Sequence, residues 1–330
     1  MEPMEPINSA DAPAFDVIVK EPLVRGPLAL YPLWSLAPAA PPYLTGPEAE
    51  RLGVLRVGEV PGGATVPELA VHNTGTRPLL LVEGETLVGA KQNRTLDQSV
   101  LVPAGGVAGI PVSCVEAGRW GAPRTSARSV RHAPADLRRI KTSTIAHPRR
   151  AAMKQSMVWD RVARYQDDLQ AASPTSALED VVESRATDVS SLVADARPAP
   201  EQCGVAVAIG GTLRGFDCFD APTTLAAYWD ALVAGYALDA LGAPTTAAPA
   251  VDAVEALVAA AVAADRTPTP TTGLGATATF AGDRVVGTQL VWEGAYVHIS
   301  AFVDETVTPS ANPDASTVRP IRRRPPRSPR

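Results

Sequence analysis

Three features of the chain predict an α+β protein. Short apolar runs follow one another over residues 15–116, a three- and four-residue period sets in after Ser156, and alternating strands return from Ala276 to Phe302. The early runs are "LALYPLWSL", "GVLRVGEV", "PELAVHNT", "RPLLLVE", "ETLVGA", "RTLDQSVLVPA" and "VAGIPVSC", each bounded by Gly, Pro or Asn-Thr-Gly. Such punctuation marks strands joined by tight turns, and predicts an antiparallel β-sandwich or roll over 15–118.

The segment 119–155 is different: it is poor in large apolar residues, and between 119 and 154 it carries ten Lys or Arg against one acid, Asp136. It reads as a basic surface segment with one short helix near Ala135–Lys141. From 156 to 303 the pattern predicts an α+β half packed on the first. Val158, Val162, Tyr165 and Leu169 mark one helical face, and a second helix is expected over Ser176–Ser184. "CGVAVAIGGTLRGFDCF" is a hairpin around Gly210-Gly211, since both turn residues need positive φ. Pro222 opens a long helix to about Leu241, stopped by Gly242, and a further helix spans Val251–Ala264. "ATATFAGDRVVGTQLVWEGAYVHISAF" closes the half as a three-strand meander. Residues 1–14 and 304–330 are Pro-rich, the latter ending in an arginine-rich tail, and are expected to be disordered.

Composition narrows the function classes. The net charge of −5 divides into +9 over residues 119–154 and −14 elsewhere. A local basic field on an acidic protein suits a small anionic ligand and argues against a nucleic-acid partner, which meets a broad basic face. Three cysteines without C-x-x-C spacing exclude a disulfide framework and a structural zinc site. An acidic, Pro-rich start and the lack of 18 consecutive apolar residues predict a cytoplasmic protein with no membrane span. Nothing in the sequence identifies a cofactor, and His72, His132 and His147 lack metal-ligand spacing.

The stretch "LLLVEGETLVGAKQNRTLDQSVLVPAGG", residues 79–106, concentrates polar residues between two strand-like runs. One reading is an exposed hairpin end with ordinary surface charges. The other is a ligand site in which Glu83 or Glu85 accepts bonds from a ribose diol while Lys91, Gln92, Asn93 and Arg94 hold an anion, Arg94 supplying a bidentate fork. "IPVSCVEAGRWG" adds Glu116, Arg119 and Trp120; its Cys114 is expected to be a small core residue. Glu83, Glu85 and Glu116 are the candidates for acid/base catalysis, Arg119 and Trp120 for phosphate and base contacts. Asp217 or Asp220 is expected to cap the helix that follows them, and His298 to be an outward-facing or satisfied core histidine.

The segments "VEGETLVGAKQNRTLDQSVLVPA", "IPVSCVEAGRW", "SMVWDRV", "GVAVAIGGTLRGFDCFD", "YALDAL" and "GLGATATF...VHISAF" resemble, in order and spacing, the ARG-and-rhodanese-phosphatase-superfamily-associated protein domain over about residues 25–303. That name implies a place beside ADP-ribosylglycohydrolases, hence near NAD or ADP-ribose metabolism, and a nucleotide or ADP-ribose-type ligand. Two other functions remain open: a hydrolase of phosphate or glycosidic bonds using a glutamate, and a non-catalytic interaction protein.

Overall fold

The computed structural model describes residues 15–60, 67–119 and 124–304. Of the expected tails, 1–14 and 305–330 lie outside these residues, while Asp304 is buried and its N–H donates to the Arg284 carbonyl at 2.8 Å. The first third contains strands β1 (Val17–Val19), β2 (Leu23–Arg25), β3 (Leu28–Ser35) and β4 (Leu44–Thr45), then helix α1 (Gly46–Arg51). It continues through β5 (Leu55–Gly58), β6 (Glu68–Asn73), β7 (Leu79–Leu81), β8 (Glu85–Ala90), β9 (Arg94–Leu96), β10 (Val100–Val102) and β11 (Val107–Cys114). The middle holds β12 (Arg124–His132), α2 (Ala135–Ala146), a 3-10 turn, α3 (Lys154–Asp168), α4 (Leu178–Ser184) and α5 (Ala186–Leu192). Last come β13 (Gly204–Ile209), β14 (Thr212–Phe219), α6 (Pro222–Ala240), α7 (Val251–Ala263), β15 (Asp265–Thr269), β16 (Ala276–Gly282), β17 (Val285–Trp292) and β18 (Ala295–Val303).

The α+β class is as the sequence predicts, but the layers do not divide near residue 118. A nine-stranded sheet has the order β1-β3-β13-β14-β18-β17-β16-β15, with β2 also paired to β3. Its β3 comes from the chain start and pairs in full register with β13, from Leu33↔Gly204 to Leu28↔Ile209. Leu28 to Tyr31 are all buried, as a strand covered on both faces must be. A six-stranded sheet, β12-β8-β9-β11-β6-β5, and a three-stranded one, β10-β7-β4, complete the β structure.

The two long helices sit where their apolar faces require. Leu225, Tyr228, Trp229, Leu232 and Tyr236 of α6 are buried in one cluster with Leu80, Val82, Leu101, Val205 and Val207. Each fully buried leucine in that layer contributes about 1.5–3 kcal/mol. On the opposite face of the large sheet, Val254, Leu257, Val258 and Ala261 of α7 pack on Phe216, Phe280 and Ile299. The β13–β14 turn uses Gly210 and Gly211 at φ 57 and 75, the left-handed pair expected for a two-residue hairpin.

The basic segment is not a surface loop. It supplies β12, which pairs with β8, and α2, which runs past Lys141 to Ala146. Arg128 is 7% exposed, and Arg138 and Lys141 are fully buried. The helix crosses the seam between the sheets: Arg138 reaches Asp217 of β14, and Lys141 donates to the Leu96 carbonyl of β9. Neither aspartate caps α6, whose N-cap Ala221 has no side-chain bond. Asp220 instead accepts from the Tyr43 hydroxyl and from Ala40 N at 3.0 Å.

Candidate functional site

The polar residues expected to line one pocket are distributed over four separate clusters. The first surrounds the β8–β9 turn, where Gly89 and Ala90 have φ 97 and 44. Gln92 Nε2 donates to the Glu116 carbonyl at 2.8 Å, and Asn93 N to the Glu116 carboxylate at 2.9 Å. Arg119 donates to that carboxylate at 2.8 and 2.7 Å, and also to the Ala90 and Gly89 carbonyls and Asn93 Oδ1. Thr175 Oγ1 completes the carboxylate's partners at 2.8 Å. Burial pushes the Glu116 carboxyl up, but the bonds from Arg119, Asn93 N and Thr175 outweigh it and hold the group below its ordinary value. These contacts occupy the Arg119 fork, so Glu116 and Arg119 staple the hairpin rather than offering a vacant clamp.

Arg94 is fully buried on β9 and ion-paired with Glu59 at 3.1 Å, an internal partner where the sequence predicts a bidentate fork on an anionic ligand. Lys91 N donates to the same Glu59 carboxylate at 3.1 Å. Cys114 is a buried thiol pushed up mainly by burial, as a core cysteine should be. Trp120 lies outside the described residues.

Glu83 and Glu85, two residues apart, diverge completely. Glu85 accepts from Val82 N at 2.6 Å and pairs with Arg128, whose guanidinium lies over Tyr228 at 5.8 Å. Glu83 enters a closed polar circuit at the centre of the molecule. Its carboxylate accepts from Arg138 Nε at 2.7 Å and pairs with Lys141 at 3.3 Å. The remaining Arg138 nitrogens form a bidentate fork on Asp217 at 3.0 and 2.5 Å. Asp217 also accepts from Tyr236 at 2.8 Å and contacts His298 Nε2 at 3.2 Å; His298 Nδ1 lies 2.7 Å from Ser99 Oγ. Ser99 accepts from Glu83 N at 2.9 Å and closes the ring. Gly84 makes this approach possible: at φ 90, a Cβ there would stand 2.3 Å from His132 and 2.8 Å from Arg138. Burial and the nearby Arg138 charge hold His132 well below its usual value, so it stays neutral.

A branch of the network runs outward. Asp97 accepts from Ser113 at 2.7 Å and pairs with Lys154 at 2.5 Å and Lys141 at 3.7 Å. Arg138, Lys141 and Lys154 thus face Glu83, Asp97 and Asp217, three cationic side chains against three carboxylates. The network calls for no additional anion, and its main role is to lock α2 against β9 and β14.

Side by side with the locked core lies a cleft of about 500 Å³ at the N-terminus of α2, lined by Asp136, Arg139, Arg161, Arg214 and Asp239 among others. None of the site residues proposed from the sequence reaches it. Arg139 pairs with Asp136 at 2.7 Å, and Arg161 with Asp136 at 2.8 Å while lying over Tyr165 at 3.8 Å. Asp239 accepts from Tyr165 at 2.5 Å and from Asp136 N at 3.0 Å; burial raises its carboxyl despite those bonds. Arg214 is exposed and, among the described residues, makes no ion pair. It is the extra residue of a bulge, because Leu213 pairs with Ala208 and Gly215 with Val207. Bulges re-aim side chains, and here the guanidinium is turned to the cleft.

Three segments carrying the family resemblance therefore meet at one place: "SMVWDRV" contributes Arg161, "GGTLRGFDCFD" Arg214 and "YALDAL" Asp239. The sequence signal was present, but the motifs are some fifty and twenty-five residues apart and only the topology joins them. No group of His, Cys, Asp and Glu among the described residues is arranged to hold a metal ion, and no helix among them is long and apolar enough to cross a membrane. Residues 16–302 match the family model described as "ARG and Rhodanese-Phosphatase-superfamily-associated Protein domain", and the chain belongs to that family. No curated protein and no solved structure matches it.

Proposed function

We propose that, as a member of this family, the protein binds a small phosphate-bearing ligand of nucleotide size, ADP-ribose being the first candidate, in the cleft beside α2. The observation that carries this reading is Arg214, exposed and without an ion pair among the described residues, at a cavity of about 500 Å³ beside a helix N-terminus, where Arg139 and Arg161 stand paired with carboxylates whose place a phosphate would take. Guanidinium forks match phosphate oxygens, and the partial positive charge of the helix end adds to them. Asp136 and Asp239 supply the acceptors that ribose hydroxyls need. The family's description, which joins it to ARG and rhodanese-phosphatase proteins, fits a ligand from NAD or ADP-ribose chemistry.

Hydrolysis is the second reading, and one observation favours it. Asp239, with its raised carboxyl and its Tyr165 partner, is better suited to donate a proton than Glu83, Glu85 or Glu116, which are committed to cationic or backbone partners.

Isothermal titration with ADP-ribose, ADP and inorganic phosphate tests the binding. Arg214→Ala, an exposed change that leaves the fold intact, should weaken ADP-ribose binding by about tenfold or more, the loss of one charge-assisted contact. Absence of binding at millimolar ligand, or an unaltered Kd in the variant, would refute the assignment. Chromatography of the titrated mixture shows whether product forms.

A further inference from the structure

A second chemically distinct place lies at the other end of β13. Cys203 directly precedes this strand and Cys218 lies on the neighbouring β14, with their sulfurs 3.9 Å apart. The backbone brings them together at Gly204, which pairs with Cys218. A Cβ at Gly204 would meet Asp217 O at 2.6 Å and Cys218 Cα and Cβ at 2.9 Å, so a side chain would force the strands apart beside the two thiols. Reaching a disulfide's ~2.05 Å requires the sulfurs to close by about 1.9 Å, a movement within reach of side-chain rotation.

The two thiols are not equivalent. Both are buried, but Cys203 forms part of the wall of a cavity of about 530 Å³, together with Lys20, Trp34, Ser35 and Asp220, and Cys218 lies behind it. Ser35 N donates to the Cys203 sulfur at 2.8 Å, a contact that favours the thiolate. Lys20 lies over Trp34 at 5.7 Å and brings a positive charge to the same cavity. The Cys218 hydrogen bond, helped by Ser35 N, holds the Cys203 thiol below its ordinary value against burial; Cys218, bonded to Cys203 and buried, is pushed up. One thiol at the cavity wall, favoured as thiolate, and one behind it is the division of labour that a reacting and a resolving cysteine need.

We propose that Cys203 and Cys218 form a peroxide-reactive dithiol, in which Cys203 reacts at the cavity and Cys218 resolves it as a disulfide joining β13's entry to β14. In the first step the Cys203 thiolate attacks one oxygen of a hydroperoxide. The O–O bond breaks, the sulfur becomes a sulfenic acid, and the other oxygen leaves as hydroxide or alkoxide and takes up a proton. The Cys218 thiol then attacks the sulfenic sulfur; an S–S bond forms, the S–O bond breaks, and water leaves with the thiol proton. Each cycle reduces one peroxide by two electrons at the expense of two thiols, and a small dithiol restores the pair. This site is separate from the cleft beside α2, so its test does not depend on the ligand bound there.

The test uses the full chain and hydrogen peroxide, followed by non-reducing mass spectrometry and thiol counting in denaturant. Of the three cysteines, free in the untreated protein, two should be consumed, with a mass loss of about 2 Da and a Cys203–Cys218 linked peptide. Cys218→Ser should stop at a sulfenic acid on Cys203 that dimedone traps, and Cys203→Ser should keep its thiols at least about tenfold longer than the native chain. Cys114→Ser should behave as the native protein. Should a variant fail to fold, the native chain still decides: no Cys203–Cys218 linkage under conditions that oxidise glutathione, or faster labelling of Cys114 than of Cys203, would overturn the proposal.

Discussion

Replacing Arg138 by methionine fills a similar volume but deletes the cation at the centre of the polar circuit. Glu83 loses its 2.7 Å partner and keeps Lys141; Asp217 loses a bidentate fork and keeps Tyr236 and His298. Removing one member of a buried pair costs about 3–5 kcal/mol, because the remaining charge is left without compensation. A typical domain has only about 5–15 kcal/mol in total. Urea unfolding at pH 7 should therefore show the variant's midpoint lowered by about 1 M or more. The pH dependence supplies a second arm. Burial alone would raise the Asp217 carboxyl, but Arg138 and His298 hold it well below the usual carboxylate range. Without Arg138 the folded-state value rises, so the gap from the native protein should narrow as pH falls through that raised value. Adding Asp217→Asn to the variant should recover part of the loss, since the uncompensated charge is gone. A loss under about 1 kcal/mol, or no recovery in the double variant, would show that the circuit does not lock α2 as described.

Arg94→Ala should lower the stability of the ligand-free protein by about 2–4 kcal/mol by stranding Glu59 beside a buried vacancy, and Arg94→Lys by less, while neither changes the Kd for ADP-ribose; melting curves and titration calorimetry read both. Glu116 gives an acid limit. Its folded value lies below the unfolded one, so its stabilisation is fully present above the unfolded carboxylate range and is lost as pH falls through the folded value. Glu116→Gln should therefore lower Tm clearly at pH 7 and converge on the native protein as pH falls through the folded carboxyl's lowered value; a gap that persists at acid pH would mean that the amide disturbs packing and not charge.

The elements whose pattern is local were legible from sequence. The β13–β14 hairpin announced itself through two glycines that must take positive φ, and α6 through Pro222 and its apolar face. Other elements were hidden because their stability comes from distant partners. The strand Arg124–His132 has no apolar alternation and is held by β8, while α2 conceals Arg138 and Lys141, whose charges read as solvated until Glu83, Asp97 and Asp217 surround them. The same holds for the cleft. Arg214 reads as an ordinary strand residue, since a one-residue bulge leaves no mark in composition, and Asp239 reads as an exposed helix position until Tyr165 and α2 arrive against it. The polar residues of the hairpin at residues 79–106 are spent on internal partners, Asn93 N on Glu116, Arg94 on Glu59 and Glu83 on Arg138, which no local pattern announces.

The seating of β3 between β1 and β13 has a consequence for biosynthesis. Residues Leu28–Leu33 leave the ribosome long before Gly204–Ile209, their hydrogen-bonding neighbours on one edge. At about 5–20 residues per second, the intervening chain takes roughly 8 to 34 s to be made. During that interval one of the most apolar strands of the molecule has β1 and β2 to pair with but no large sheet to enter, and its free edge is a template for any other unpaired strand. Closure of the nine-stranded sheet is thus a late, long-range event, and β3 keeps an open edge until β13 has been made.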